Sequence, residues 1–238
     1  MTNEESHLPF INLLPNIVTL IGLTIGLTSI RYALDQKWEN AVSLIVIAAF
    51  IDGFDGRIAR ALNASSKFGA ALDSLADFVN FGVAPAILLY LWSLTTIPYK
   101  GIGWAITTLI IICCAFRLAR FNSDEGLGNI FQGISAPCGG GLLLLPIMLS
   151  FNDLISFTIT TYMIAVYSMT VAVMMASNIP TISIKNFQIH NRFFVPTLII
   201  ITIFFALLII RPWICLPLIG LLYILSIPIT VFLHRDKS

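Results

Sequence analysis

The chain has 238 residues, 58% of them hydrophobic and 11% charged, with a net charge of +1. A soluble domain carries about 25% charged residues, so this composition excludes an ordinary soluble globule. The near-zero net charge gives no bulk reason to expect nucleic acid as a partner.

A membrane-crossing helix needs about 20 mostly apolar residues. The first such stretch runs from about Leu14 to Tyr32, with Pro15 in the first turn, where its missing N–H is not needed. Gly22-x3-Gly26 within it is a close-packing signal. Met1–Phe10 carries Glu4 and Glu5 where a cleavable leader has basic residues, so no signal peptide is expected. The second stretch runs from about Asn40 to Arg60. A short polar link, Asn63 to Lys67, follows, and Ser65 or Ser66 can cap the next helix. The third runs from about Lys67 to Ser93 and the fourth from about Gly101 to Phe121. The fifth, glycine-rich, runs from about Gly133 to Phe151, the sixth from Leu154 to Ser177, the seventh from Phe193 to Ile210 and the eighth from Pro212 to His234. The expected fold is all-α: a polytopic integral membrane protein of about eight transmembrane helices. Residues 1–238 read as one membrane-embedded domain, with a core over about 14–178 and a C-terminal extension over about 193–234.

Charge in the links sets the orientation. Of the thirteen basic residues, nine fall on the side that holds both termini and only Arg31, Lys37, Lys100 and Arg211 on the other. An excess of Lys and Arg marks the cytoplasmic side, so both termini are expected there. The four cysteines, Cys113, Cys114, Cys138 and Cys215, have no zinc-ligand or redox spacing.

Four of the twelve acidic residues lie between Asp52 and Asp77, in or beside these apolar stretches. A charged side chain at a helix centre costs roughly 2.5–3.5 kcal/mol on insertion scales and marks a functional site by default. Asp52 and Asp55 are about 60° apart around a helix, and Asp73 and Asp77 about 40°. Each pair lies on one face. The short link makes the two helices antiparallel neighbours, so the four carboxylates are expected to converge near the cytoplasmic edge. They need counter-charge. Divalent cations supply it, and oxygen ligands suit Mg²⁺ or Mn²⁺. No histidine or cysteine is near enough in sequence to suggest zinc. A carboxylate-held metal pair is a device for phosphoryl transfer. Gly56 and Gly69 on the acid-bearing face, with small Ala59, leave room for a bulky ligand, and Arg60 can hold a phosphate through two hydrogen bonds.

Asp55-Gly56-x2-Ala59-Arg60-x8-Gly69-x3-Asp73-x3-Asp77, with Asp52 as the leading acid, resembles the signature of the CDP-alcohol phosphotransferases. The resemblance implies a membrane-embedded, typically homodimeric enzyme that moves a phosphatidyl or similar group from a CDP-linked lipid to an alcohol and releases CMP. It implies that Asp52, Asp55, Asp73 and Asp77 bind two divalent metals. Gly56, Ala59, Arg60 and Gly69 would then line the CDP site, and Asp77 would also act as general base. Pro15-Asn16-x2-Thr19 is similar to the family's first-helix motif, which places Asn16 and Thr19 at the nucleotide.

Further stretches resemble the bacterial phosphatidylserine synthases within that family: Asp73-Ser74-Leu75-Ala76-Asp77 with Phe81-Gly82-Val83-Ala84-Pro85, then Phe116 to Asn122, then Ser177 to Thr181 with Lys185. That resemblance implies CDP-diacylglycerol and L-serine as substrates and the bacterial inner membrane as location. Arg117, Arg120 and Lys185, placed on links of the motif's side, are candidates for the serine carboxylate or a phosphate. Gly133 to Gly141, with Cys138 and three consecutive glycines, departs from the pattern.

Glycerol phosphate, inositol phosphate or choline are alternative acceptors, although a phosphorylated one calls for a denser basic cluster. An intramembrane prenyltransferase calls for another acid one turn after the first pair, where Ala59 stands. A cation transporter calls for acids near the midplane rather than at one edge.

Overall fold

The computed structural model describes residues 13–62, 66–123, 134–152, 160–177 and 194–235. All regular structure among them is helical. Helix α1 spans Leu14–Leu34, α2 spans Trp38–Ala61 and α3 spans Lys67–Trp92. Then come α4 (Ile102–Ser123), α5 (Ala136–Ser150), α6 (Thr161–Ala176), α7 (Phe194–Ile210) and α8 (Pro212–Arg235). Each falls on one of the stretches expected from hydropathy. Three of them, α1, α3 and α4, are long and apolar enough to cross a membrane.

Local chemistry sets the breaks. Helix α1 begins with Pro15 in its first turn. It ends where Gln36 takes a φ of 59°, and the N–H groups of Asp35, Gln36 and Lys37 bond back to Arg31, Ala33 and Tyr32. The chain reverses there, and α1 and α2 pack as an antiparallel hairpin. Of the two serines expected as caps, Ser66 is the one described: its Oγ accepts the Gly69 N–H at 3.0 Å and starts α3. Gly101, at φ 90°, turns the chain into α4.

Helix α3 is not a uniform α-helix. Lys67–Asp77 and Ala84–Trp92 are α-helical, but Phe78–Val83 forms a π-helical turn. The N–H of Ala84 bonds to the carbonyl of Val79, five residues back. Such a turn inserts a residue into the helical register and occurs often at functional sites. It aims three successive residues at three helices. The Asn80 side chain lies against Gly22 and Gly26 of α1, Phe81 against Gly140 of α5, and Gly82 against Cys114 of α4. All three are buried, and Asn80 is only 2% exposed.

The glycines explain how closely the helices approach. A Cβ on Gly82 would stand 2.8 Å from the Cys114 sulfur. One on Gly140 would stand 3.0 Å from the Phe81 Cα, and one on Gly139 would strike Met175 of α6. The glycine run that departs from the expected pattern therefore has a packing cause at two positions. Gly141 is different, for a Cβ there meets nothing within 4 Å among the described residues. The core lies around α5 and the second half of α3, with Leu88, Leu89, Leu143, Leu144 and Ile147 fully buried. Cysteines 113 and 114 are buried free thiols in this packing.

Candidate active site

Contacts between helix ends fix the bundle's polarity. Asn16, at the start of α1, lies against Gly69 at the start of α3. Asp52, toward the end of α2, meets Asp77 of α3. Arg117, near the end of α4, reaches the Ile134 carbonyl just before α5, and Arg120 reaches the end of α6. The other end is tied by Thr96 to Thr161, at 2.8 Å, and by Asn152 and Phe151 to Trp213. One end of the bundle thus collects the whole acidic motif.

Within that end, Asp52, Asp73 and Asp77 are half-buried, and Asp77 is set back from the start of α3. At about 1.5 Å per residue, Asp77 lies about 15 Å along α3 from Lys67. The Asp52 and Asp77 side chains are within hydrogen-bonding contact, with Asp73 one turn back on α3 and in electrostatic reach of Asp77. Two carboxylates cannot hold such a contact as bare anions; a proton or a cation must lie between them. The Oδ1 of Asp77 is buried without a hydrogen-bond partner, and the Oδ1 of Asp73 is buried too. An acceptor-only oxygen left this way is costly unless something fills its coordination. Among the described residues no three ligands close into a cation cage. The fourth acid, Asp55, lies on α2 with its side chain outside the described part, as do the side chains of Ala59 and Arg60. The donor set is all oxygen, partly buried and short of counter-charge, which fits a hard divalent cation.

Arg117 supplies part of that counter-charge. It is partly buried, its Nε donates to the Ile134 carbonyl, and it stands within electrostatic reach of Asp77, Cys138 and Tyr223. Arg120 has another task. Its two terminal nitrogens donate to the Ala176 and Ser177 carbonyls, each at 3.1 Å, and so cap the end of α6. Both arginines belong to the last turns of α4, within the bounds expected for the fourth stretch and not on the link after it. Lys185 lies outside the described residues.

The glycines of the motif differ from one another. Gly56 is exposed, and a Cβ there would meet nothing within 4 Å among the described residues. Gly69 is covered: a Cβ would stand 2.9 Å from Asn16 Oδ1 and 3.2 Å from Ser66 Oγ. Its lack of a side chain admits Asn16, the other residue expected at the nucleotide. Thr19 is buried, and its hydroxyl donates to the Pro15 carbonyl at 3.0 Å. Asn122 ties α4 to α3 through Ser74 Oγ at 3.0 Å.

Sequence reasoning missed Asn80 and Tyr223. Asn80 had a visible signal: it is a lone amide in the most apolar part of α3, three residues after Asp77. Tyr223 had none, because only the folded chain, with α8 packed on α5, brings it within electrostatic reach of Arg117.

An all-helical bundle with paired carboxylates from two antiparallel helices, and a cation facing them from a third, belongs to the class of carboxylate-centred group-transfer enzymes embedded among apolar helices. The CDP-alcohol phosphatidyltransferase family model matches residues 12–177, and a second model of the same name-group, CDP-alcohol phosphatidyltransferase 2, matches residues 192–228. The chain belongs to the CDP-alcohol phosphatidyltransferase family. Relatives named CDP-diacylglycerol–serine O-phosphatidyltransferase include one from Mycobacterium leprae, 34% identical over 99% of this chain and 80% of its own length. Another, from Helicobacter pylori, is 33% identical over 95% of this chain and 97% of its own. A third, from Bacillus subtilis, is 34% identical over 76% of this chain and 96% of its own.

Proposed function

We propose that this protein transfers the phosphatidyl group of CDP-diacylglycerol to the hydroxyl of L-serine, forming phosphatidylserine and CMP. The observation that carries the reading is the contact between Asp52 and Asp77, within the family-matched region and facing Arg117. The serine acceptor rests on the relatives, which match along most of the chain under that activity.

Asp77 has the right place for the base. Its buried, unpartnered Oδ1 can accept the serine hydroxyl proton. The freed oxygen attacks the phosphorus that carries diacylglycerol. A new P–O bond forms, the diphosphate P–O bond breaks, and CMP leaves with the electron pair. Arg117 lies on the same side as Asp77 and suits the serine carboxylate, placing the hydroxyl toward the base. Arg120 holds helix α6 and so supports that wall rather than the substrate; Lys185 is a third basic candidate. Asp52, Asp55, Asp73 and Asp77 would hold two divalent cations, Mg²⁺ or Mn²⁺, whose charge would offset the diphosphate and stabilise the leaving group. Gly56, Ala59 and Arg60, with Gly69, Asn16 and Thr19 at the α1–α3 contact, form the CDP end of the site. The oxygens of the acid cluster are themselves the only well-placed nucleophiles among the described residues, which favours direct attack over a covalent phosphatidyl-enzyme.

The eight helical rods span the bacterial inner membrane as a homodimer, the acidic end and both termini facing the cytoplasm. Three long apolar helices support the membrane placement and the nine-to-four distribution of basic residues supports the orientation, while the dimer rests on the family resemblance alone. Residues 14–178 carry the reaction, and α7 and α8 are an extension of the same domain.

Purified protein in detergent, given CDP-diacylglycerol and divalent metal, should release CMP on addition of L-serine. Glycerol phosphate, inositol phosphate and choline should give little. Equal release with any of these three defeats the serine assignment, and no release with any alcohol defeats the transferase reading.

A further inference from the structure

The two α-helical parts of α3 are anchored unequally. In Ala84–Trp92, the side chains of Ala84, Ala86, Leu88 and Leu89 are fully buried, so the core fixes how that part is turned. In Lys67–Asp77, which carries Asp73 and Asp77, only Ala76 is buried. The Ser74–Asn122 hydrogen bond that also holds this part is exposed. The π-helical turn at Phe78–Val83 joins the two. An α-helix advances about 100° per residue, and the residue that a π turn inserts offsets its two sides by about that step. Relaxation of this turn to α-helix would swing Asp73 and Asp77 off the face that meets Asp52, because the core holds the other part still.

Asn80 pins the turn. It is buried, and its Cα stands 3.5 Å from where a Cβ on Gly26 would be. Its amide nitrogen stands 3.9 Å from the corresponding point on Gly22, and Ile51 Cγ2 stands 3.4 Å from that same point. One glycine of α1 thus receives both the residue before Asp52 and the residue three after Asp77. The rotations of the two acid-bearing helices are set against a common point. The Oδ1 of Asn80 has no hydrogen-bond partner among the described residues. A buried acceptor left this way calls for a reason, and here the oxygen contributes shape rather than a hydrogen bond.

We propose that Asn80 is a positioning residue for the transfer reaction: wedged against Gly22 and Gly26, it holds the π turn and keeps Asp77 turned toward Asp52. The inference rests on the reading of Asp77 as the base. Asn80 acts on the reaction only through the rotation of α3.

The test separates position from stability. Serine-dependent CMP release from CDP-diacylglycerol with Mg²⁺ is measured well below the melting temperature of each full-length protein: wild type, Asn80→Ala, Asn80→Ser and the double variant Gly26→Ala/Asn80→Ala. In the double variant the added methyl enters the space that the amide leaves. A displacement of about 1 Å at a reacting group can cost about 10²-fold in rate. Asn80→Ala should therefore lower kcat by about 10²-fold and leave the KM values for serine and CDP-diacylglycerol as in wild type. Asn80→Ser should show a smaller loss of the same kind, and it carries the test if the alanine variant does not fold. The double variant should recover melting temperature and part of kcat together. A folded Asn80→Ala or Asn80→Ser with wild-type kcat, whatever its KM, assigns the residue to stability alone and overturns the proposal. A loss of kcat that persists in a double variant of restored melting temperature overturns the packing route. A wild type that releases no CMP with serine or any other alcohol defeats the transferase reading instead.

Discussion

The amide of Asn80 occupies the space that a side chain on Gly26 would take, with its Cγ 2.8 Å from where that Cβ would stand. This contact locks the π-helical turn of α3 against α1, one turn from the acid Asp77. The Oδ1 of Asn80 is buried without a hydrogen-bond partner, so the amide is held by packing and has little room to move.

Substitution of Gly26 should therefore be disruptive. Gly26→Ala places a methyl into a buried amide and should destabilise the protein by about 1–3 kcal/mol, the usual cost of overpacking. Gly22→Ala should be milder, because its nearest neighbour, Ile51 Cγ2, stands at 3.4 Å. Thermal unfolding in detergent checks the order; equal melting temperatures for the two variants would contradict this packing.

Asp77→Asn should abolish transfer by the factor of about 10²–10⁴ typical of a lost general base. Because the amide keeps the size of the carboxyl, binding of CDP-diacylglycerol should persist. Turnover near wild type in this variant would remove Asp77 as the base. Asp52→Asn should instead weaken both turnover and the dependence on added metal.

The two arginines of α4 should separate. Arg117→Ala should raise the KM for serine, while Arg117→Lys should recover part of it. Arg120→Ala should leave that KM in place and lower stability by about 1–3 kcal/mol, because two carbonyls lose a charged donor. A serine KM that rises in Arg120→Ala with no loss of stability would reverse these assignments.

Removal of divalent cations should stop CMP release and lower the melting temperature, since the acid cluster would lose the charge that offsets it. Mg²⁺ or Mn²⁺ should restore both. A melting temperature indifferent to chelator in wild type, but raised by Asp52→Asn, would indicate a proton-shared carboxyl pair in place of a cation site.

The sequence by itself determined the helices and the place of the acids. Runs of apolar residues long enough for a bilayer leave few alternatives to helix, and Asp52 and Asp77 stand out because charge is expensive in that setting. Spacing also put Asp73 and Asp77 on one face, and chain alternation put the motif at one end. Only the tertiary structure decided how the helices are turned against each other. No periodicity announces the π turn at Phe78–Val83, which arises from the packing of Asn80, Phe81 and Gly82 on three different helices. The same holds for Arg117 and Arg120. Three residues apart on one helix, they are equivalent in sequence, yet one reaches toward Asp77 and the other caps α6. Gly56 and Gly69 likewise read alike, but among the described residues one has nothing within 4 Å of its absent Cβ and the other admits Asn16. What a missing side chain or a charge is for depends on which neighbour the fold brings to it, and that neighbour is distant in the chain.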